Sequence, residues 1–348
     1  MSNNLKIFVI GDPHFKSKNT LETNEMCNRI YKEIINEKPD FIVVLGDVLD
    51  THETIHVGPL CRATEFLFKL SKMSNHLYVL IGNHDMKSNA DFLTGESAFN
   101  ACKSWKNTTI VDKVVKSSFN DKNFLFIPYV PTGRLMEALQ TEEIDKDNIN
   151  NYSIVFAHQE FKGCNMGAIT SNEGDIWDPE FPLCISGHIH DYQVLQPNLI
   201  YPGTPIQHSF GDSSNKAIMI LDLSENEWSK RRINLGLPKK LTVHITAEEL
   251  IDYVVPENSF VKLIVKGETD KVKEVMKLDK VKELLSNERI KLSIQEYKKR
   301  KDDLNIETSL LSEVMSTKFV SFQERIKNVI SGEKDEVKQR FSKIFGEF

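Results

Sequence analysis

Five stretches of four or five apolar, β-prone residues each run into a short polar island. Ile7–Ile10 leads into Asp12-Pro13-His14, Phe41–Leu45 into Gly46-Asp47-Val48-Leu49-Asp50, and Leu77–Ile81 into Gly82-Asn83-His84-Asp85. Ser153–Phe156 leads into Ala157-His158-Gln159, and Leu183–Ser186 into Gly187-His188-Ile189-His190. A near-continuous apolar run has no polar face, so it predicts a strand covered on both sides, as in a parallel sheet between layers. Leu21–Glu37 and Val57–Met73 carry helical spacing, with Pro59 in an early turn where its missing N–H is tolerated. Strand and helix in alternation predict βαβ units and a mainly parallel sheet. Thr109–Val111, Phe124–Pro128, Leu199–Tyr201 and Ala217–Leu223, separated by turns, read as later and more antiparallel strands. Residues 1–235 are expected to form a layered α/β sandwich with two facing sheets.

Composition shifts at Gly236-Leu237-Pro238-Lys239-Lys240, a linker signal. Beyond it Leu241–Thr246, Phe260–Lys266 and Ile290–Gln295 read as strands and Lys271–Leu285 as helix, giving a small α+β unit over 241–300. Ser309–Ile330 and Glu333–Phe345 read as two amphipathic helices joined at Ser331-Gly332, within a terminal helical segment 305–348. Leu310, Leu311, Val314, Met315, Phe319, Phe322, Ile326 and Val329 form its apolar stripe. Such a stripe more often packs on its own domain; docking of a partner is the functional alternative.

The 348 residues suit one large domain plus a smaller one, and 40% hydrophobic content with 20 Phe is enough for a sizeable core. Net charge is −6, and from Lys240 to Phe348 the 21 Lys and Arg nearly balance 20 Asp and Glu, so the acidic excess lies in the first part. A free-standing nucleic-acid binder would usually carry a basic surface. The balance therefore argues against unaided DNA binding and leaves room for a local basic groove; the run Lys298–Lys301 is one candidate, although such runs are more often solvated surface. The five cysteines are odd in number and form no CxxC pair, which fits reduced thiols. With no apolar leader and no span of membrane length, the expectation is a soluble cytoplasmic protein without membrane association.

The islands carry oxygen and imidazole donors at strand C-terminal ends, where open α/β sheets place their ligand sites. They suit two divalent cations bridged by one carboxylate. Asp47 is the expected bridge; Asp12, His14 and His190 complete one metal site, and Asn83, His158 and His188 the other. In His188-x-His190 the alternation of an extended strand end would put both imidazoles on one face. Mixed His, Asp and Asn ligation suits Mn²⁺, Fe²⁺ or Zn²⁺ better than Ca²⁺. His84 is the expected catalytic helper outside the ligand set, contacting the phosphate or protonating the leaving oxygen. Asp85 is expected to orient a neighbouring imidazole. Gly46-Asp47 and Gly82-Asn83 alone read as ordinary strand-to-loop turns, His158 alone as a hydrogen-bonded core histidine, and an isolated His-x-His as suggestive but common; their joint occurrence carries the inference.

The islands resemble the five signature motifs of the calcineurin-like metallophosphoesterases: D-x-H, G-D-x-x-D, G-N-H-D, an isolated His and G-H-x-H. The resemblance implies a four-layer α-β-β-α sandwich with a dinuclear centre. The segment Tyr201–Asp212 further resembles the Y-x-G-[ST] segment of SbcD-type nucleases, a group that includes the phage recombination endonuclease small subunit and the nuclease of the Mre–Rad complex. That closer resemblance implies a metal-dependent exonuclease and endonuclease acting on double- and single-stranded DNA in repair, recombination or replication. It also implies Mn²⁺ as the first choice of metal, a capping domain over 241–300, and a coiled-coil ABC-type ATPase partner docked on 305–348; homodimers are common in the group. Where some members have a second active-site histidine this chain has Asp50, while His52 and His56 follow as expected exposed loop residues. The alternatives are a stand-alone phosphodiesterase acting on nucleotides or other small phosphoesters, and a non-catalytic scaffold, against which the complete donor set argues.

Overall fold

Each of the five apolar runs folds as a strand with both faces covered. The computed structural model describes residues 4–51, 54–167, 169–224 and 227–297; His52, the run 298–301 and the expected helices 309–330 and 333–345 lie outside the described residues. In chain order come β1 (Leu5–Ile10), α1 (Thr20–Glu37), β2 (Phe41–Val44), α2 (Val57–Leu70), β3 (His76–Leu80) and β4 (Thr108–Val111). Then follow β5 (Val115–Phe119), β6 (Lys122–Ile127), α3 (Leu135–Gln140), β7 (Ile154–His158), a small hairpin β8 (Asn165–Met166) and β9 (Ile169–Thr170), β10 (Leu183–Gly187), β11 (Gln193–Gln196) and β12 (Leu199–Tyr201). β13 (Ile218–Leu223) and β14 (Trp228–Ile233) return to the first sheet, ordered β14-β13-β1-β2-β3-β4. The second sheet runs β11-β12-β10-β7-β6-β5.

The alternation along β1 shows why its sequence has no polar face. Leu5, Ile7 and Val9 enter the core between the sheets, against residues that include Phe124, Phe126, Phe156 and Ile185. Phe8 and Ile10 face the other way, toward Met26, Ile30 and Ile34 of α1 and Phe66, Leu67 and Leu70 of α2. Between the sheets the Tyr78 ring stacks on Phe126 at 4.0 Å, and Phe126 on Phe156 at 5.3 Å. The outer face of the second sheet, with Leu125, Ile127, Val155 and Ala157, is covered by Leu135 and Leu139 of α3 and by Phe161 and Trp177 from loops. The sandwich is thus four layers deep, the last built from one short helix and irregular chain.

The expected antiparallel character of the later strands needs correcting. Only β13 is antiparallel to its neighbours on both sides; β4 runs parallel to β3, β6 to β7, and β12 to β10. The antiparallel partners are β5 and β11, sheet-edge strands whose exposed, polar-rich sequences do not stand out as strands. After the linker, β15 (Lys239–Thr246), α4 (Ala247–Leu250), β16 (Ser259–Glu268), α5 (Thr269–Val275), α6 (Asp279–Leu285) and β17 (Ile290–Tyr297) build a three-stranded parallel sheet. It has an apolar cluster of its own, centred on Leu250, Val261, Leu263, Val265, Val272 and Val281. The single helix expected over Lys271–Leu285 is two, because Leu278 is extended and starts α6.

One ion-pair network ties α1 to the first sheet. Glu37 ends α1, a position where the helix dipole disfavours a carboxylate. Arg231 of β14 grips it with both terminal nitrogens, one at 2.8 Å, and the Lys6 ammonium lies 3.0 Å away. Arg231 first, and Lys6 after it, hold the Glu37 carboxyl down to about 2, from an ordinary value of 4.5. A carboxyl pKa lowered by folding adds stability that is present above the unfolded value and lost as the pH falls through the folded one. Glu37→Gln should therefore lower stability at pH 7 by about 0.5–1 kcal/mol. In urea titrations that gap should narrow steadily as the pH is taken below 4.5 toward 2; a gap independent of pH would contradict the assignment.

Candidate metal centre

The strand ends of both sheets meet at one cluster. Asp12 and His14 follow β1, Asp47 follows β2, and a single 3-10 turn, Asn83–Asp85, follows β3. His158 is the last residue of β7, and His188 and His190 follow β10. Their donor atoms form three overlapping groups, each with its atoms within 4.8 Å of one another: Asp12, His14 and His190; His14, Asp47 and His84; Asp47, His158 and His188. Asn83 joins the third group, its Oδ1 lying 2.9 Å from His188 Nδ1 and 3.1 Å from His158 Nε2. His14 Nε2 and His190 Nε2 approach to 3.0 Å. All seven residues expected as metal ligands are in the cluster, with His84 beside them.

The backbone reaches this arrangement by bending sharply. His14, Asp47 and His188 have φ of 43°, 45° and 81°, left-handed values uncommon for residues with a side chain and concentrated at functional sites. Extended alternation therefore does not explain His188-x-His190: β10 stops at Gly187, and the left-handed turn at His188 sends the two rings to different groups. Two glycines make room. A Cβ on Gly82 would lie 2.2 Å from Asp47 Oδ1, and one on Gly187 would lie 2.6 Å from Asp12 Oδ1.

Hydrogen bonds fix the orientation of each donor. His158 donates Nδ1–H to the Leu45 carbonyl at 2.7 Å, which leaves Nε2 turned to Asn83 and Asp47. His84 donates Nδ1–H to the Asp50 carbonyl at 2.8 Å and its backbone N–H to Asp47 Oδ1 at 2.9 Å, and its Nε2 stands 4.0 Å from Asp47 Oδ2. Asp12 Oδ2 accepts the His188 N–H at 2.9 Å. Asp85 does not orient an imidazole, contrary to expectation. Its Oδ1 accepts from Leu49 N–H and its Oδ2 from Val48 and Gly82 N–H, at 2.9, 3.2 and 3.1 Å. The buried carboxylate is consumed by backbone donors and buckles the β2 and β3 loops together.

Three neighbours have roles that their sequence positions did not reveal. Asp50 receives the Lys16 ammonium at 3.0 Å and lies 3.6 Å from His14 Nδ1. Tyr129 lays its ring beside His188 with centres 6.0 Å apart. His208 hydrogen-bonds the Asp12 carbonyl; its segment drew notice only through family resemblance. His56 is an exposed residue at the start of α2.

Burial opposes charge throughout the cluster, so the charges that persist are informative. Burial raises the Asp12 carboxyl to about 8, against the pull of His158 and with the help of the Asp47 charge. Burial works against ionisation of Asp47 too, but His158, His14 and His84 around it hold its carboxyl below the ordinary range. Burial also keeps His14 and His190 below their usual values and pushes His188 down to about 4, whereas at His158 the carboxylates of Asp47 and Asp12 outweigh burial and raise the ring to about 9, a proton that a bound cation would displace. Asp12 Oδ1 and His14 Nδ1 are buried without a hydrogen-bond partner. Converging carboxylate, carboxamide and imidazole donors with unmet buried atoms fit divalent transition ions.

A two-sheet sandwich that delivers Asp, Asn and His from five strand ends to one buried cluster defines a metal-dependent phosphoesterase. Residues 5–192 match the calcineurin-like phosphoesterase family, and the chain belongs to it. It is 41% identical over 273 residues to a protein of Invertebrate iridescent virus 3 provisionally named phosphoesterase 078R, covering 77% of this chain and 78% of that one. It is 40% identical over 282 residues to its counterpart 244L of Invertebrate iridescent virus 6, covering 79% of this chain and 98% of that one. It is also similar to the SbcD component of the nuclease SbcCD from Staphylococcus saprophyticus, 23% identical over 274 residues, with 69% and 71% of the two chains covered. The family uses divalent metals, in keeping with the donor groups. Among the described residues, no helix is long and apolar enough to cross a membrane.

The Asp85 buckle can be tested apart from metal binding. Asp85→Asn turns one acceptor oxygen into an NH2 group facing a backbone N–H, so at least one of its three bonds is lost. The expected cost is about 1–3 kcal/mol, read as a lower melting temperature in EDTA. An unchanged melting temperature would show that the two loops hold together without it.

Proposed function

We propose that this phosphoesterase is a DNA nuclease subunit that hydrolyses phosphodiester bonds with two divalent ions, Mn²⁺ first among the candidates. We further propose that it serves repair, recombination or replication as exonuclease and endonuclease, with a coiled-coil ABC-type ATPase docking on residues 305–348. The observation that carries the dinuclear reading is the sharing of Asp47 by two donor groups, with His14 and His84 at 3.8 and 4.0 Å from its Oδ2 and His158 at 3.4 Å from its Oδ1. The nuclease reading draws on the likeness to the SbcD component, which extends over more of the chain than the family match at 5–192.

Divalent ions at such a site would supply positive charge to phosphoryl oxygens and make water acidic enough to attack near neutral pH. The remaining work falls to the side chains. Asp12, His14 and His190 would hold one ion, Asn83, His158 and His188 the other, with Asp47 between them. Asn83 adds an oxygen donor without adding negative charge, which favours approach of an anionic phosphate. With Nδ1–H committed to the Asp50 carbonyl, a protonated His84 would offer its Nε2–H to the departing ester oxygen.

Two clefts adjoin the cluster, one at His84 and one at His188 and His190. The first, of about 240 Å³, is lined by Thr51, Ile55, His84 and Lys87. The second, of about 340 Å³, is lined by Asn165, Met166, His188, His190 and Asp212. Room at both places favours a diester, with two arms to seat, over a monoester. A stand-alone phosphodiesterase for small esters would use the same clefts, and the experiment separates it.

The intact chain and its Asp47→Ala variant should be compared on end-labelled duplex and single-stranded DNA with Mn²⁺, and on a chromogenic small diester. Loss of DNA cleavage in the variant is the expected outcome. Turnover of the small diester without DNA cleavage by the intact chain would favour the stand-alone enzyme. His84→Ala should slow cleavage by about 10²–10⁴-fold while retaining metal; loss of metal would make His84 a ligand instead.

A further inference from the structure

His208 lies outside the five islands, in the 202–217 connection between β12 and β13, and touches every member of the Asp12, His14 and His190 group. Its Nε2 is 3.0 Å from the Asp12 carbonyl oxygen. A carbonyl only accepts, so the ring proton is on Nε2. The ring centre lies 4.8 Å from that of His14 and 5.5 Å from that of His190, both edge-on. Nδ1 is enclosed and has no hydrogen-bond donor. A buried nitrogen left unmet is destabilising, so it offsets much of what the bond to the Asp12 carbonyl contributes to the metal-free fold. The imidazole is therefore explained by what its other nitrogen does.

The loop beneath the ring is fixed independently. The His208 N–H goes to Asp212 Oδ2 at 2.7 Å, and its carbonyl accepts from the Lys240 ammonium at 3.3 Å. Lys240 also pairs with Glu22 of α1 at 3.0 Å. The Gln207 side chain accepts the Lys240 N–H at 2.8 Å and donates to the Asp212 carbonyl at 2.9 Å. A backbone held at both its N–H and its C=O aims the ring without help from Nδ1.

We infer that His208 is a positioning residue for one half of the metal centre. By donating to the Asp12 carbonyl and packing against the His14 and His190 rings, it holds the bend between Asp12 and His14 so that this group converges on one divalent ion. The other half is held by different bonds, from His158 to the Leu45 carbonyl and among Asn83, His158 and His188. Loss of His208 should therefore loosen one ion and spare the other. This inference rests on reading the cluster as a two-ion centre.

The test is Mn²⁺ binding to the full chain, followed by calorimetry and by electron paramagnetic resonance, for the parent, H208L and H208Q. The parent should bind two ions. H208L should keep one and bind the other about 10–100-fold more weakly. H208Q, whose amide N–H can serve the same carbonyl, should stay within a few-fold of the parent. The metal-free melting temperature of H208L should stay close to the parent's, since the unmet nitrogen is gone while the Asp12 carbonyl loses its donor. Equal binding by all three proteins would overturn the inference. So would equal weakening in H208L and H208Q, which would make the ring itself a ligand, or a marked fall in the metal-free melting temperature of H208L, which would make the residue a support of the fold. A parent that binds no Mn²⁺ would remove the metal reading itself, and the parent titration alone would reveal it.

Discussion

Two carboxylates, Asp12 and Asp47, are enclosed against the same His158 ring, 3.7 and 3.4 Å from its nitrogens, and the chemistry of the whole cluster follows from the cost of putting them there. An isolated carboxylate removed from water is strongly destabilised unless partners compensate it. Asp47 keeps its charge through the imidazoles around it, while Asp12, deprived of solvent and facing that charge, is driven toward its neutral form. Asp85, just behind them, meets the same conflict and is pushed to about 7 even with three backbone N–H groups on its oxygens. Divalent cations between such groups would resolve the competition. A neutral amide at Asn83 adds an oxygen donor to the third donor group without adding to the anionic load.

The same constraint governs the backbone. Donors from two sheets can converge only if the chain stops being extended as soon as it leaves each strand, and His14, Asp47 and His188 accept left-handed geometry to achieve it. Gly82 and Gly187 let neighbouring loops come closer than any side chain would permit. The stacking of Tyr78, Phe126 and Phe156 between the sheets holds the strands that carry these loops in place.

Much of this was legible in the chain because burial on both faces leaves an uninterrupted apolar run, and because a donor residue directly after such a run has one place to go. Edge strands β5 and β11 were not legible: each has a face in water, and short polar stretches such as Val115–Phe119 resemble loops. The parallel direction of β4, β6 and β12 is not legible either, because turn residues mark where the chain bends and not which strand it next joins. The role of Asp85 was hidden because its partners are backbone amides, which have no identity in a sequence. His208 was hidden by distance, its contact with Asp12 spanning 196 positions.

The pairing of β1 with β13 joins Leu5 to Leu223 and Val9 to Met219. During synthesis β1 therefore waits for nearly the last strand of the sandwich before its far edge is covered, and contacts of such long separation form slowly. Asp12 likewise waits for the His188 amide. A nascent or broken chain that ends before these partners can carry the first three motifs and still have no assembled centre. For a hydrolase synthesised among the phosphoesters of a living cell, assembly from opposite ends of the domain is a form of quality control: hydrolytic competence arrives only with a completed fold.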